Sequence, residues 1–563
     1  DDLSTVDSKK VIAQNPDGSV LLEFRPGETL SFYGQAKVRS TAGEFSIMNY
    51  TLLPSKDSFY VCSPQYHPGS LLTITASSSS SATENRKSLQ TRPKSHTPPT
   101  LCIQPVLNRS HPNARRASKL KEDAKQQREK GAKIIELVYG FHIVYAGTED
   151  SPYSLLTLPG QWLIASGTLL DQCRKGMAVR VIVAGNRNVG KSTCCRAVVN
   201  KLLDGPKKEV VLLDTDVGQC EFTPPGLVTL AILSTPLLSP PHSRLYPSSR
   251  IRYKHLQSYY VGATESTSNP KGYLNAVKFA IEKYNAVYGD LPLVINTQGW
   301  LKGFGLSLFQ SIVLQANPTS IFHLTDKPFQ LELEPSYQRI LTTLPQRPPG
   351  VKSKITASDL RRLALLRYFA GPSADFLTAG RILAKKPPYR VCWSSVWISI
   401  LPETLGPSSL LKSLNASIVG LCTLPPDRLP PKPTRKTYAE AVLADSKSSS
   451  SLLHSTVHPQ NPAIQLLHTS RVEGCLCQGL GLIRGIDMEK RQLLILSPVP
   501  FKDLRRVNVV IRGEIPVLSA MMTGGGVKRK AEEAMYTTWK SIQGFGPMKS
   551  RKNIGRKWGG GGP

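Results

Sequence analysis

The sequence predicts an α/β core built on a parallel sheet, flanked by an N-terminal β domain and a C-terminal mostly β domain. Three observations carry this expectation. From about residue 170 short apolar runs alternate with helix-spaced segments, the pattern of strands covered on both faces by crossover helices. The stretches before and after carry β-favouring runs separated by turns. A glycine-rich loop stands directly between one apolar run and a helical segment.

Residues 1–169 read as the N-terminal β domain, with strands at 20–24, 30–34 and 45–48 of a small sandwich or barrel. A serine run at 77–81 opens a basic insertion over about 77–133. From Arg86 to Lys133 there are 13 Lys/Arg against 3 Asp/Glu. Such a stretch buries too little apolar surface to offset its ordering entropy, so a disordered loop is expected. Apolar, β-like character returns over 134–157. Residues 170–385 form the α/β domain, with strands at 181–184, 210–213, 227–233 and 293–295 and a helix over 273–284. Residues 386–523 read as mostly β, interrupted by a Pro/Ser/Lys-rich loop over about 425–459. Residues 524–563 form a low-complexity tail with 9 Lys/Arg against 2 Glu.

Three domains plus tails suit a chain of 563 residues. It begins at Asp1 rather than Met, so a preceding segment is expected. The 71 Lys+Arg against 40 Asp+Glu leave a formal net charge of +31, which raises affinity for polyanions by counterion release. Nucleic-acid partners are favoured, the blander alternative being solvated basic tails. The ten cysteines form no C-x-x-C pair and no zinc spacing, which favours a reduced compartment without structural zinc. No apolar run reaches the roughly 18 residues of a membrane helix, so no membrane partner is expected.

The strongest local signal is Gly185-Asn186-Arg187-Asn188-Val189-Gly190-Lys191-Ser192. It matches G-x-x-x-x-G-K-[ST] between a strand and a helix, the P-loop of nucleoside triphosphatases. Glycines let backbone N–H groups turn inward around a phosphate, and the helix N-terminus adds a favourable dipole. Lys191 then reaches the β- and γ-phosphates of ATP, and Ser192 ligates Mg²⁺. Thr193 is the alternative hydroxyl. Asp214 and Asp216 stand at the end of the next predicted strand, where ligands gather in α/β sheets. Two carboxylates exceed what the metal requires, so one is free to act as general base toward a hydroxyl. An Asn-Lys-x-Asp base-reading sequence is lacking, with Thr325-Asp326-Lys327-Pro328 only a partial echo. Protein-kinase motifs and a nucleophile elbow are lacking too.

The segment from Asp214-Thr215-Asp216-Val217-Gly218-Gln219 to Glu221-Phe222-Thr223-Pro224-Pro225-Gly226 resembles the extended Walker B segment of the polynucleotide 5′-hydroxyl kinases, and its ending is closer to their nucleolar pre-rRNA branch. Tyr259-Tyr260-Val261-Gly262-Ala263-Thr264, Asn296-Thr297-Gln298-Gly299-Trp300, Asp359-Leu360-Arg361 and Gly481-Leu482-Ile483-Arg484-Gly485 continue the likeness over about 170–515. The resemblance implies transfer of the ATP γ-phosphoryl group to the 5′-hydroxyl end of RNA, with Mg²⁺. Catalysis would fall to Lys191, Asp216 as general base, Asp214 as metal or metal-water ligand, and Arg361 as a lid arginine, with Arg362 and Arg367 as alternatives. Residues 185–193 would hold the nucleotide, Ser192 and Asp214 the metal. Gln219, Thr264 and Trp300 would face the RNA, Thr264 also helping to hold metal or phosphate and Trp300 stacking on a base. Core packing for Trp300 and a solvated helix face for the arginines are the alternatives. Where the family has Ser-Pro after Thr264, this chain has Glu265-Ser266, a carboxylate that would repel phosphate unless it points away or binds metal.

The branch further implies a place in the nucleus and nucleolus beside a pre-rRNA internal spacer endonuclease, whose 5′-hydroxyl product is the substrate. Two other readings stay open: a nucleotide-bound scaffold for that nuclease without kinase turnover, and the sibling RNA kinase of mRNA 3′-end and tRNA processing.

Overall fold

The computed structural model describes residues 11–63, 71–77, 98–106, 133–138, 141–145, 155–245, 253–327, 331–348, 356–371, 374, 378–401, 410–430, 457–458 and 461–522. Most of the basic insertion, most of the 425–459 loop and the tail lie outside them. Two units divide the chain at residue 375.

In the N-terminal part a 14-residue strand, Thr29–Ala42, organises the sheet. Its first stretch pairs with Leu72–Ala76 and Phe141–Tyr145, and its later stretch with Phe59–Ser63 and Thr100–Pro105. Phe32, Ala36, Val38, Phe45, Leu101 and Ile103 alternate inward into one core. Thr100–Pro105 falls inside the stretch expected to be disordered. The correction has a local cause: Leu101, Cys102 and Ile103 are a buried apolar run within an otherwise basic segment, and pairing on both edges fixes their backbone.

The α/β core begins with α1 (Gly160–Arg174), followed by β1 (Arg180–Gly185), α2 (Lys191–Leu202), β2 (Val210–Asp214), β3 (Leu227–Leu233) and β4 (Tyr253–Tyr260). Then come α3 (Pro270–Val287), β5 (Leu293–Asn296), α4 (Phe304–Ala316), β6 (Ser320–Leu324), β7 (Leu341–Leu344) and α5 (Ala357–Ala370). The strand order is β7-β6-β1-β5-β2-β3-β4. β7, β6, β1, β5 and β2 run parallel, whereas β3 and β4 are antiparallel additions. The sheet is therefore mixed. Residues 215–226 contain no helix, and a parallel return needs a crossover, so the chain comes back beside β2 in the opposite direction. α1 and α2 cover one face through Trp162, Leu169, Val198 and Leu202. α3 and α4 cover the other through Tyr273, Val277, Ile281, Leu308 and Ile312.

The β domain is bound to this core by polar side chains. Asn200 of α2, fully buried, donates from Nδ2 to the Met48 carbonyl at 2.9 Å and accepts the Leu237 N–H at 2.7 Å. Asn49 Nδ2 donates to Ser166 Oγ at 2.8 Å and to the Ala197 carbonyl at 3.1 Å. In the second unit strands such as Ile418–Thr423, Leu476–Asp487 and Val509–Arg512 enclose Trp393, Ile398, Leu421 and Ile483. No described helix is long and apolar enough to cross a membrane.

Removing the Asn200 amide would strand a buried carbonyl and a buried N–H, each worth roughly 1–3 kcal/mol. Asn200→Ala is expected to lower stability by about 2–4 kcal/mol, read from urea unfolding followed by far-UV circular dichroism. A loss below about 0.5 kcal/mol would count against the amide as the joint.

Candidate active site

β1 is buried from Val181 to Gly185, so its end delivers the loop 185–190 from a rigid strand. Steric limits explain the two glycines. A Cβ on Gly185 (φ 150°) would lie 2.8 Å from Val189 Cγ2 and 2.9 Å from the Leu324 carbonyl oxygen. One on Gly190 (φ 103°) would lie 2.9 Å from Arg347 Cβ and 3.0 Å from the Trp162 ring. The loop is braced from outside by residues 345–347: the Trp162 indole donates to the Pro345 carbonyl at 2.9 Å and the Arg347 N–H to the Val189 carbonyl at 3.0 Å. Gly190 caps α2 in the left-handed conformation, and Lys191 opens the helix. Its Nζ folds back to donate to the Asn186 carbonyl at 2.7 Å. Burial lowers the Lys191 pKa, opposed by Asp216.

Asp214 ends β2 directly opposite Asn296, the last residue of β5. Asn296 Nδ2 donates to Asp214 Oδ1 at 2.9 Å and reaches Ser192 Oγ at 3.4 Å. The hydroxyl and the carboxylate thus converge on one nitrogen. Asp214 also accepts the Asp216 N–H at 3.2 Å and, on its other oxygen, the Glu221 N–H at 2.6 Å. Burial, and then the charges of Glu221 and Asp216, push its pKa up to about 8. Asp216 is only partly buried. Its Oδ1 accepts the N–H groups of Gly218 at 3.0 Å and Gln219 at 3.1 Å, which leaves Oδ2 free of the turn. Hard oxygen donors beside surplus negative charge fit Mg²⁺, and Ser192 with Asp214 would hold it.

The other expected residues divide. Thr264 lies beside the Asp216 turn, its carbonyl oxygen 3.0 Å from where a Gly218 Cβ would stand. Gln219 is exposed. Trp300 is 37% exposed, and Gly305 lies under its ring so closely that a Cβ there would fall 2.4 Å from Cδ2. Gly299 packs on Arg187 of the loop, which brings Trp300 to the same neighbourhood. Glu265 is exposed, while its neighbour Ser266 is buried and hydrogen-bonded to Gln298. Thr193 follows Ser192 in the first turn of α2. Arg361 stands apart. It lies on α5, capped by a Thr356/Asp359 capping box, and among the described residues it shares no hydrogen bond or ion pair with the loop. Arg362 faces Asp359 at 3.7 Å, and Arg367 Nε donates to the Ala374 carbonyl.

Asn296 and Glu221 were not given roles from sequence. Asn296 was findable as the polar residue closing an apolar strand beside the one that ends in Asp214. Glu221 accepts Arg196 Nε at 3.0 Å and pairs with Arg244 in full burial. That pairing joins parts of the chain that no local spacing relates.

Two outcomes follow. Gly190→Ala forces a left-handed alanine, costing about 1–2 kcal/mol, and pushes on Arg347; ATP affinity measured by calorimetry should fall by about tenfold or more. The second concerns pH in Mg²⁺-free buffer. A carboxyl whose folded pKa is raised stabilises the fold while protonated, so this contribution is complete below about pH 4 and is lost as pH rises through about 8. The melting temperature of the parent should therefore fall more between pH 5 and 9 than that of Asp214→Asn. Parallel curves would reject the assignment.

The chain is similar to several known proteins. Residues 185–371 match the family model "mRNA cleavage and polyadenylation factor CLP1 P-loop", and residues 446–518 match "NOL9-like, C-terminal domain". The polynucleotide 5′-hydroxyl-kinase nol9 of Dictyostelium discoideum is 26% identical over 92% of this chain and 82% of its own length. The GRC3 kinase of Gibberella zeae is 25% identical over 87% of this chain and 68% of its own. Human NOL9 is 27% identical over 60% of this chain, which spans 49% of that relative. A solved complex of Clp1p with Pcf11p aligns with 89% of this chain and 99% of its own at 13% identity, with a TM-score of 0.46. With one model on the P-loop, another on the C-terminal part, and 5′-hydroxyl kinases aligned across both, the chain is similar to the polynucleotide 5′-hydroxyl kinases NOL9 and GRC3.

Proposed function

We propose that this chain transfers the γ-phosphoryl group of ATP to the 5′-hydroxyl end of RNA. The observation that carries the reading is the convergence of Ser192 Oγ and Asp214 Oδ1 on Asn296, beside Lys191 and a partly exposed Asp216. The 5′-hydroxyl oxygen attacks the γ-phosphorus, the bond to the β–γ bridging oxygen breaks, and ADP leaves. The hydroxyl proton passes to the Asp216 carboxylate, whose other oxygen is fixed by the turn. Lys191 exchanges its carbonyl partner for phosphate oxygens and offsets the charge on the migrating group. Ser192 and Asp214 would hold Mg²⁺, which when bound would add charge neutralisation of the triphosphate. Trp300 stacks on a terminal base, with Gln219 and Thr264 beside it. Arg361 belongs to the same reading as a lid residue, reaching the site when α5 moves over bound nucleotide.

The biological setting is proposed with it: nucleus and nucleolus, pre-rRNA internal spacer processing, and an endonuclease partner that leaves the 5′-hydroxyl end. Support comes from the net charge of +31 and from the NOL9 relatives. In the proposed organisation, residues 1–169, 170–385 and 386–523 act as β, kinase and C-terminal domains, and the basic tail from 524 serves import or nuclease capture.

Labelled ATP with 5′-hydroxyl RNA and DNA oligonucleotides tests the reading directly. The parent protein should label RNA ends. Lys191→Ala, folded by circular dichroism, should lower transfer by about a thousandfold or more, the scale of losing a charge aimed at the transition state. Retention of parent-level transfer would sink the kinase reading, and nucleotide binding by the parent without any transfer would favour the scaffold.

A further inference from the structure

Glu221 is fully buried between two arginines drawn from distant parts of the chain. Arg196, on the helix that follows the phosphate loop, donates Nε to Oε1 at 3.0 Å and to Oε2 at 3.3 Å. Arg244, itself fully buried, pairs with Oε2 and lies over the Phe222 ring at 5.8 Å. Arg244 directly follows the Pro241–Ser243 turn, against which α5 packs. A buried ionic cluster of this kind adds little net stability, because desolvation offsets the Coulomb attraction. Its location shows what else it does. The backbone N–H of the same Glu221 is the donor that holds Asp214 Oδ2 at 2.6 Å. Between these ends, the N–H groups of Asp216, Gly218 and Gln219 all turn toward the two aspartate carboxylates. One end of the turn is set by β2; at the other, Glu221 is tied through Arg196 to α2.

We propose that Glu221, clasped by Arg196 and Arg244, is a positioning residue that fixes the 214–221 turn relative to the phosphate loop. It thereby sets where Asp214 and Asp216 stand. The consequence for transfer rests on the kinase reading; the consequence for the turn does not. Phosphoryl transfer is sensitive to displacements of about 1 Å in positioned groups, so loosening the turn lowers kcat while leaving the nucleotide cradle intact.

Two variants of the full chain test this. Glu221→Gln keeps the shape and removes the charge. The double variant Glu221→Met with Arg244→Met replaces the ion pair by apolar volume, a change that buried pairs often tolerate without loss of stability. In both, hydrogen exchange of the peptide spanning 214–222 should quicken by about tenfold or more, and kcat should fall by about tenfold or more with the KM for ATP within about twofold. The double variant separates positioning from mere support of the fold: it should melt near the parent temperature and still show both changes. If a folded variant exchanges and turns over like the parent, the proposal is overturned. If Glu221→Gln does not fold, the double variant decides. Should the parent transfer no phosphate, the kinase reading fails while the exchange measurement still judges the turn.

Discussion

One side-chain amide, that of Asn296, is the constraint on which the site depends. β5 lies between β1 and β2, so its last residue sits midway between the strand that launches the phosphate loop and the strand that ends in acid. From there Nδ2 touches both Ser192 and Asp214. The backbone reinforces the arrangement, since the Asn296 carbonyl accepts both the N–H and the hydroxyl of Thr215, and Thr297 ties the chain back to Val183. Parallel pairing sets the register of the three strands, and register places the hydroxyl and the carboxylate within reach of one donor.

Outside this centre, the core is held from several directions by groups with no chemical task. Trp162 and residues 345–347 brace the phosphate loop on its outer side. Asn200 and Asn49 join α1 and α2 to the β domain. These joints are polar and buried or partly buried, so each favours its partner in place. The loop thereby senses the packing of elements remote from it in sequence.

Much of this was legible beforehand because it is local. The apolar runs at 181–184, 210–213, 227–233 and 293–295 became strands, and 273–284 lies within the longer helix Pro270–Val287. The loop spelling follows from the contacts a Cβ would make at Gly185 and Gly190. What was not legible is non-local. The antiparallel return of β3 depends on the lack of a helix between two strands, and strand direction leaves no trace in composition. Thr100–Pro105 was hidden by the basic residues around it. Arg196 and Arg244 find Glu221 only through tertiary packing. Arg361 has a motif but, among the described residues, no hydrogen bond or ion pair with the loop.

The backward fold of Lys191 has a consequence for which nucleotides the site rewards. The ammonium already has a partner, the Asn186 carbonyl at 2.7 Å, so a phosphate that reaches it must first displace a charge-assisted bond of about 1.5–3 kcal/mol. On the proposed reading, a nucleoside, which has no phosphate, or a monophosphate, whose single phosphate would stop short of the lysine, would leave that bond in place. A di- or triphosphate recovers that outlay with stronger acceptors. On that reading the lysine would act as a counter of phosphates, holding its own place until a chain long enough to relieve it arrives.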